Sequence, residues 1–377
     1  MLVLQAITSA LLFVGTASAS AIDFSLRDGA VNLAKRDQKL TVSHCTGCLA
    51  GPGGGTSCVN NWYVHWGDDK LGSCAMGQPR IPPTPAETNL SGKTVIITGG
   101  NAGLGGEEAA ASLRADPTVK KANPDASIEV FELDLDDYQS GLRFSKKVKQ
   151  EVKELDILLN NGGQVALDYN KNKSGHERNM QVNCYTHLLI SLELFPLLRS
   201  TAAIRGLPSR ITFTGSGTQI TQNTLTKKPI SPDSTVLGHF DDEANYNKYF
   251  RYADTKTVVN AYVRRLAALA PAEVIVNNPC PGLVQTGFDK NLPFYLRLPM
   301  VLVRRAMGRT VEEGARTLVY ASAVAGPEVN GKFLQHNKVD PGAAFLNGPE
   351  GEKFIDTLWK ESVQDVAAVD PSLSSYD

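Results

Sequence analysis

The sequence predicts an α/β protein built on a doubly wound parallel sheet. Three observations predict it: a β-branched strand that runs into a glycine loop, a repeated order of strand, helix and strand, and small-residue turns at the ends of apolar strands. Ligands collect at the carboxyl ends of the strands in such a sheet. The functional site is therefore expected where these strands end.

The glycine loop belongs to the stretch TVIITGGNAGLG, from Thr94 to Gly105. Its β-branched run suits a strand buried on both faces. Gly103 and Gly105 lack a Cβ, so the backbone can turn tightly and let a pyrophosphate approach the amides at the start of a helix. A tight strand-to-helix turn explains an isolated glycine pattern equally well. The TGxxxGxG spacing and four later segments in the expected order favour a dinucleotide site.

The composition limits the classes of partner. The chain has 377 residues, of which 42% are hydrophobic and 20% charged, and its formal net charge is -1. These values are ordinary for a soluble globular protein. Because the chain has neither a basic excess nor a long run of like charge, no nucleic-acid partner is expected.

The first 20 residues are typical of a secretory signal peptide. An apolar run from Leu2 to Val14 is followed by small residues that end at Ser20. The region before the apolar run lacks Lys and Arg, and an N-terminal membrane anchor is the alternative. We expect entry into the secretory pathway, or a cytoplasmic protein if this N-terminus is an artefact of the gene model.

Residues 21–77 form a cysteine-rich extension. It contains four of the six cysteines, namely Cys45, Cys48, Cys58 and Cys74. An even number of cysteines behind a signal favours two disulfides, for which three connectivities are possible. Zinc is the alternative, because His44 and His65 add further ligands of the right type.

Residues 78–88 are predicted to be a semi-rigid linker because their prolines lack the backbone donor and fix φ. The main domain then spans residues 89–377. The expected helices cover Glu107 to Leu113, Met180 to Arg199 and the residues that follow Tyr252. The expected strands after the glycine loop are Ile128 to Leu133, the end of Val152 to Leu159, Arg210 to Ser216, Val274 to Val276, and Gly331 to Phe333.

Several polar residues stand out in these elements. Asn183 lies on an apolar helix, where an unpartnered amide costs about 1 to 3 kcal/mol. Ser216 ends a strand at the same sheet edge as the glycine loop. Tyr252 and Lys256 are four residues apart, so they project from one helix face. Each also has an ordinary structural explanation. Asn183 could be a hydrogen-bonded amide of the core, Ser216 a turn residue, and Tyr252 and Lys256 a pair on the surface.

Residues 292–303, LPFYLRLPMVLV, are apolar but interrupted by two prolines. A mobile substrate lid is favoured over contact with a membrane surface. Thr286, after the turn at Pro281 and Gly282, is placed to present a hydroxyl to the cleft.

Six ordered motifs together resemble the classical short-chain dehydrogenase/reductase family over about residues 89–347: TGGNAGLG, NNGG, the helix asparagine, the GS turn, YADTK and NPCPGLVQT. The sequences of these motifs are most similar to those of retinol-dehydrogenase-like and fungal secondary-metabolism reductases. The resemblance implies a Rossmann-like fold and an enzyme that uses a nicotinamide cofactor, with a small carbonyl or alcohol as substrate. A homo-oligomer is compatible with it.

By this resemblance the catalytic residues are Asn183, Ser216, Tyr252 and Lys256. Tyr252 would be the general acid/base, Lys256 would favour its phenolate and hold the nicotinamide ribose, and Ser216 would bind the substrate oxygen. Asn183 would hold a water that connects Lys256 to solvent, and Thr286 would fix the carboxamide.

The resemblance also implies which residues bind the cofactor, and no metal. Besides Tyr252 and Lys256, they are Thr98, Gly99, Asn101, Gly103, Leu104, Gly105, Asp134, Asn160, Gly162, Pro281, Gly282, Val284 and Thr286. The expected cofactor is NADP, with NAD not excluded.

One β unit of the family pattern is missing. Only 22 residues separate Gly105 from Ile128, which suffices for one crossover of about a dozen residues but not for two crossovers and a strand. The missing strand would carry the residue that selects between NAD and NADP. Either Ile128 to Leu133 moves in beside the glycine-loop strand, or the sequence lacks an exon.

Two other functions compete with an enzyme. The damaged cofactor site would leave a non-catalytic scaffold, or the domain would be a passenger fused to the secreted cysteine-rich module.

Overall fold

A computed structural model describes residues 78–85, 88, 90–99, 129–225, 230–231, 233–285, 297, 301, 303–305 and 307–377, and the backbone of five strands between residues 23 and 66. The chain divides into two units. The first comprises Met1–Arg80, Leu283–Gln285 and Leu298–Thr310, and the second Ile81–Gly282, Thr286–Arg297 and Val311–Asp377.

The first unit contains an antiparallel sheet in the order β1-β2-β3-β5-β4. Its strands are β1 (Asp23–Arg27), β2 (Ala30–Lys35), β3 (Gln38–His44), β4 (Ser57–Val59) and β5 (Trp62–Trp66). The side chains of its four cysteines lie outside the described residues. Disulfides and zinc therefore both stay predictions.

The second unit is built on a six-stranded mixed sheet in the order β11-β10-β9-β8-β7-β6. Its strands are β6 (Val95–Ile97), β7 (Ile157–Asn160), β8 (Ser209–Phe213), β9 (Val274–Cys280), β10 (Lys332–Gln335) and β11 (Lys338–Asp340). Strands β6 to β10 are parallel, and β11 is antiparallel to β10. The predicted Rossmann-like α/β fold is confirmed.

Helices cover both faces of this sheet. They are α1 (Tyr138–Glu151), α2 (Arg178–Arg205), α3 (Thr218–Thr221), α4 (Val236–Asp241), α5 (Arg251–Leu269), α6 (Val311–Val319) and α7 (Pro349–Val369). Successive residues of β9 point into different cores: Val274 and Val276 join the larger apolar cluster, whereas Ile275 joins a smaller one on the other face.

Helix α2 is the central helix of the larger cluster. Among the described residues, it alone is long and apolar enough to cross a membrane, and 67% of the tested window is buried inside the protein. Burial of this kind is ordinary for the core helix of a sheet protein. Its turn Gln181–Tyr185 is π-helical, which places one extra residue in the helix.

The expected strand from Ile128 to Leu133 is wrong for residues 129–133, which form no ladder. Phe131 and Leu133 pack against the core while Val130 is exposed, so burial alternates as in a strand, but no backbone among the described residues pairs with this segment. Within the described residues, β6 is the edge strand. The hypothesis that residues 128–133 fill the place beside it is therefore also wrong. The expected helix at 107–113 lies outside the described residues.

Candidate active site

Tyr252 and Lys256 lie in the first turns of α5, and their side chains project from the same face of this helix. The Lys256 Nζ is 5.5 Å from the centroid of the Tyr252 ring. Lys256 is 4% exposed, and its ammonium donates a 2.7 Å hydrogen bond to the carbonyl of Thr214. Burial lowers the pKa of Lys256 from 10.5 to about 8. The phenol and the ammonium thus lie on one face of α5, and their catalytic roles stay predictions.

Ser216 lies in the loop that follows β8, two residues beyond Thr214. Its Oγ accepts hydrogen bonds from the Thr218 backbone amide at 3.3 Å and from the Thr218 hydroxyl at 3.0 Å. Because Thr218 supplies donors, the Ser216 proton is left to point elsewhere. The serine and Lys256 thus share the carboxyl edge of β8.

Asn183 lies in the π-helical turn of α2 and joins the loop after β7 to helix α5. Its Oδ1 accepts from the Gln164 amide at 2.8 Å, and its Nδ2 donates to the Gln164 carbonyl at 3.0 Å and to the Thr255 hydroxyl at 3.1 Å. Thr255 is next to Lys256 in the chain. The amide is thus satisfied, and it couples the loop after β7 to the helix that carries Tyr252 and Lys256.

Thr98, directly after β6, connects the first two strands of the site. Its Oγ1 accepts from the amides of Asn161 and Gly162 at 3.0 and 3.1 Å, and it lies 3.0 Å from Nε2 of His187. Burial lowers the pKa of His187 to about 3, so this ring is neutral at neutral pH. Thr98 holds the NNGG turn against the end of β6.

Other predicted cofactor residues have varied surroundings. Asn160 donates from Nδ2 to the Ser191 hydroxyl at 2.8 Å, inside the core. Gly282, with φ of 81°, and Pro281 follow β9. Asp134 precedes α1 in an irregular segment, not on the expected strand, and accepts from the Asp136 amide at 2.9 Å.

Val284 lies in the first unit, where it forms a bridge with Arg309. Some predicted cofactor residues, and most of the expected lid at 292–303, lie outside the described residues: Asn101, Gly103, Leu104, Gly105 and Thr286.

The described strand ends fit a nicotinamide dinucleotide. They carry a buried cation, two hydroxyl-bearing loops and a series of residues without side chains, namely Gly99, Gly162, Gly163, Gly215 and Gly217. A Cβ on Gly163 would lie 3.1 Å from Oδ1 of Asn183, so a side chain there would crowd that amide. No group of three metal-ligating side chains occurs in the part of the chain that the structure describes.

The sequence reasoning missed several residues that support this site. Thr214 and Thr255 contact Lys256 and Asn183, and His187 backs Thr98. Asp254, inside YADTK, accepts from the amide and hydroxyl of Thr224 at 2.6 and 2.9 Å, and burial raises its pKa to about 6. Asp254 and the helix histidine were visible as buried polar residues on apolar helices, which was the signal that identified Asn183.

Several known proteins are similar to this chain. Residues 93–222 match the sequence profile of the short chain dehydrogenase family. The short chain dehydrogenase sor7 of Hypocrea jecorina (strain QM6a) is 70% identical over 298 residues, covering 73% of this chain and 83% of that protein. The short chain dehydrogenase macD of Penicillium terrestre is 36% identical over 317 residues, covering 78% and 96%.

A solved structure, a putative NAD(P) dependent gluconate 5-dehydrogenase from Beutenbergia cavernae with bound NADP, matches with a TM-score of 0.47 at 20% identity, covering 65% of this chain and 95% of its own. The sor7 alignment also bears on chain length. Its 298 positions use 73% of 377 residues, which is about 275, so about 23 positions have no counterpart here.

Proposed function

Since this chain belongs to the short-chain dehydrogenase family of NAD(P)-dependent oxidoreductases, we propose that it interconverts a carbonyl and a secondary alcohol on a small, largely apolar molecule. The observation that carries this proposal is the Tyr252 and Lys256 pair. Both residues lie on one face of α5, and the Lys256 ammonium is 5.5 Å from the centroid of the Tyr252 ring. The ammonium also donates a hydrogen bond to the Thr214 carbonyl, in the loop that leads to Ser216.

The proposed role of Tyr252 is proton transfer. When bound, the nicotinamide supplies the hydride for reduction or accepts it in oxidation. In reduction the Tyr252 phenol would give its proton to the carbonyl oxygen, and in oxidation its phenolate would take one from the alcohol. A free phenol has a pKa near 10, about three units and about 4 kcal/mol away from what this task needs at pH 7. The buried Lys256 charge favours the phenolate and so reduces this difference.

The other proposed roles come from the family resemblance. Ser216 donates a hydrogen bond to the substrate oxygen as negative charge develops on it. Asn183 links Lys256, through Thr255 and the Gln164 loop, to the solvent side of the sheet edge. Lys256 holds the ribose of the nicotinamide and Thr286 holds its carboxamide. We take NADP as the cofactor. Comparing KM for NADPH with KM for NADH tests that choice.

An open groove has a volume of about 610 Å³. Its lining is half apolar or aromatic and half polar, namely Leu167, Tyr169, Tyr246 and Tyr249 with Asp168, Glu243, Asn247 and Lys248. We take its aromatic half as the place for the apolar part of the substrate. Tyr249 is three residues before Tyr252. The hydroxyls of Tyr169 and Tyr246 are bonded to the carbonyls of Asp241 and Ala166 at 2.6 and 3.0 Å, which leaves their rings to line the groove. A role in fungal secondary metabolism is the corresponding biological proposal.

The decisive experiment measures nicotinamide-dependent turnover of a carbonyl panel by the parent and by Tyr252→Phe. The variant is expected to lose about 10² to 10⁴ of kcat while it still binds NADPH. Tyr320→Phe, which packs against the smaller apolar cluster on the other face of the sheet, is the matched control and should keep full activity. An active Tyr252→Phe would reject the proposed mechanism. A parent that binds neither NADPH nor NADH at millimolar concentration would favour the non-catalytic alternatives.

The proposed location is the secretory pathway. Full-length chain with a C-terminal tag should be cleaved near Ser20 and enter this pathway in its host. An uncleaved cytosolic chain would reject the location without affecting the enzymatic proposal.

A further inference from the structure

The loop that carries Ser216 has few side chains to hold it in place, because Ser216 lies between Gly215 and Gly217. A glycine contributes no side chain to packing, so the position of Ser216 depends on how the backbone around it is bonded. The Gly215 amide donates to the Pro279 carbonyl at 2.8 Å, and the Gly217 amide donates to the Cys280 sulfur at 3.1 Å. Strand β9 therefore holds the two amides that flank the serine.

The carbonyl of Ser216 is held by a buried glutamine of the short helix α3. Gln219 donates from Nε2 to this carbonyl at 3.1 Å, and its side chain is buried. The Oε1 atom of the same side chain accepts from Nδ2 of Asn260 at 2.8 Å. A carbonyl oxygen can only accept, so Ser216 fixes which end of the Gln219 carboxamide faces it. The other end is then the acceptor for Asn260.

Asn260 belongs to α5, the helix that carries Tyr252 and Lys256. The three residues are four apart in sequence, so they follow one side of this helix. Asn260 is buried, and the loop after β11 packs against it, because a Cβ on Gly342 would lie 2.7 Å from its Nδ2. Two consecutive hydrogen bonds thus connect α5 to the backbone of Ser216.

Helix α5 holds the serine loop at a second point. The Lys256 ammonium donates to the carbonyl of Thr214, two residues before Ser216. Lys256 belongs to the proposed catalytic pair, whereas Gln219 and Asn260 have no part in the proposed proton transfer. The bonds from Lys256 and Gln219 together fix the loop relative to the helix that carries Tyr252. Such supporting bonds decide whether reactive groups are held within about 0.5 Å of their working positions.

We propose that Gln219 is a positioning residue that sets the place of the Ser216 hydroxyl relative to Tyr252, and that Asn260 acts through Gln219. This inference rests on the proposed oxidoreductase function. One substrate oxygen must receive a hydrogen bond from Ser216 and exchange a proton with Tyr252, so both groups must reach the same atom. Loss of the Gln219 amide leaves the serine hydroxyl intact but releases the backbone that carries it.

A double-mutant cycle between Gln219→Met and Ser216→Ala tests the proposal. Methionine has a similar volume but cannot donate to the Ser216 carbonyl. The substitution should lower kcat about 10-fold to 10²-fold for the panel ketone that the parent reduces fastest, with KM for NADPH unchanged. In the Ser216→Ala background it should change kcat by less than about twofold, because no hydroxyl remains to be misplaced. Gln222→Met, at the C-terminal end of the same helix α3, is the matched control and should keep the kcat of the parent.

Asn260→Leu supplies a second, independent cycle with Ser216→Ala. It removes the donor to Gln219 but leaves the bond between Gln219 and the Ser216 carbonyl. We therefore expect a smaller loss of kcat than for Gln219→Met, again only while the serine is present. Circular dichroism identifies the folded variants, and if Gln219→Met does not fold, the cycle with Asn260→Leu decides.

The outcomes separate the two proposals. A loss of kcat that is equal in both backgrounds, or a Gln219→Met variant as active as the parent, overturns the positioning role and leaves the oxidoreductase intact. Full activity of Ser216→Ala also overturns it, because the serine then has no role that depends on its position. A parent without nicotinamide-dependent turnover of any carbonyl removes the proposed function, and the role of Gln219 with it.

Discussion

Gly99 and Gly162 approach so closely that a Cβ on Gly99 would lie 2.5 Å from the Cα of Gly162. Gly99 also has a φ of 79°, in the left-handed region. It follows Thr98, whose hydroxyl accepts from the Gly162 amide. The end of β6 and the turn after β7 therefore meet backbone to backbone, and both glycines are needed for contact rather than for flexibility.

Replacing Gly99 with Ala should destabilise the fold by more than the strain of its left-handed φ, because the added Cβ also clashes with Gly162. Gly92 has nearly the same φ, 71°, but a Cβ there meets no atom within 4 Å. We expect Gly92→Ala to lower the free energy of unfolding by about 1 to 2 kcal/mol, from left-handed strain. Gly99→Ala should lose clearly more and also weaken NADPH binding. Urea denaturation and nucleotide titration measure the two effects. Equal losses in both variants would contradict the close approach.

Activity should fall as the pH rises through about 8. The pKa of Lys256 is about 8 because the ammonium is buried. Below that pH the group is charged and favours the Tyr252 phenolate, whereas above it the charge and its pull on the phenol are lost. The profile of kcat/KM reports the free enzyme, so it is the measurement to make. Circular dichroism at each pH controls for unfolding. A kcat/KM that keeps rising to pH 10 would rule out this assignment.

The stability should carry a separate pH dependence from His176. This ring lies 2.8 Å from Asp241 and 3.2 Å from Asp365. Burial alone would lower the pKa of His176, but hydrogen bonds to the two carboxylates raise it to about 9. Its contribution is thus fully present below pH 6.5 and is lost as the pH rises through 9. The shift corresponds to about 3 kcal/mol.

His176→Gln measures that contribution. The difference in unfolding free energy between parent and variant should be large at pH 6 and shrink toward pH 10, leaving only the packing of the ring against Tyr138 and Tyr185. A difference that stays constant across this range would mean that the ring acts through packing alone.

Asn183→Leu should impair both stability and turnover. The variant keeps the volume but leaves the Gln164 amide and carbonyl without their partner, which costs about 1 to 3 kcal/mol for each buried group. Chemical denaturation measures the loss. Asn183→Asp retains an acceptor for the Gln164 amide and should recover part of it. If Leu is tolerated at full stability, the amide does not hold this loop.

Local sequence patterns predicted most of the sheet, because the β-branched and apolar strands appear in the expected order. The i, i+4 spacing of Tyr252 and Lys256 puts both on one face of α5, and their catalytic roles stay predictions. Strand β11 and helix α7 were missed. Lys338–Asp340 has one apolar residue, which is exposed, so only the turn at His336 makes it a strand. The segment at 129–133 shows the reverse error, because alternation predicts which side chains are buried but not whether a neighbouring backbone exists.

The missing β unit has support beyond spacing. About 23 positions of the sor7 alignment are unmatched in this chain, close to the length of one strand and its crossover, and β6 lies at the edge of the described sheet. We propose that an exon is absent from the sequence. Sequencing the transcript tests this: an uninterrupted message encoding the 377 residues as written would show that the shortened chain is the real product.

The position of β6 also affects how this protein behaves when concentrated. Val95, Ile96 and Ile97 are uncharged and β-branched, and Ile97 is 54% exposed. Within the part of the chain that the structure describes, no strand pairs with the outer edge of β6. A free edge of this type recruits extended segments of other molecules and is a common start of aggregation. Light scattering by the purified protein should therefore increase at high protein concentration. The Ile97→Lys variant should show no such increase.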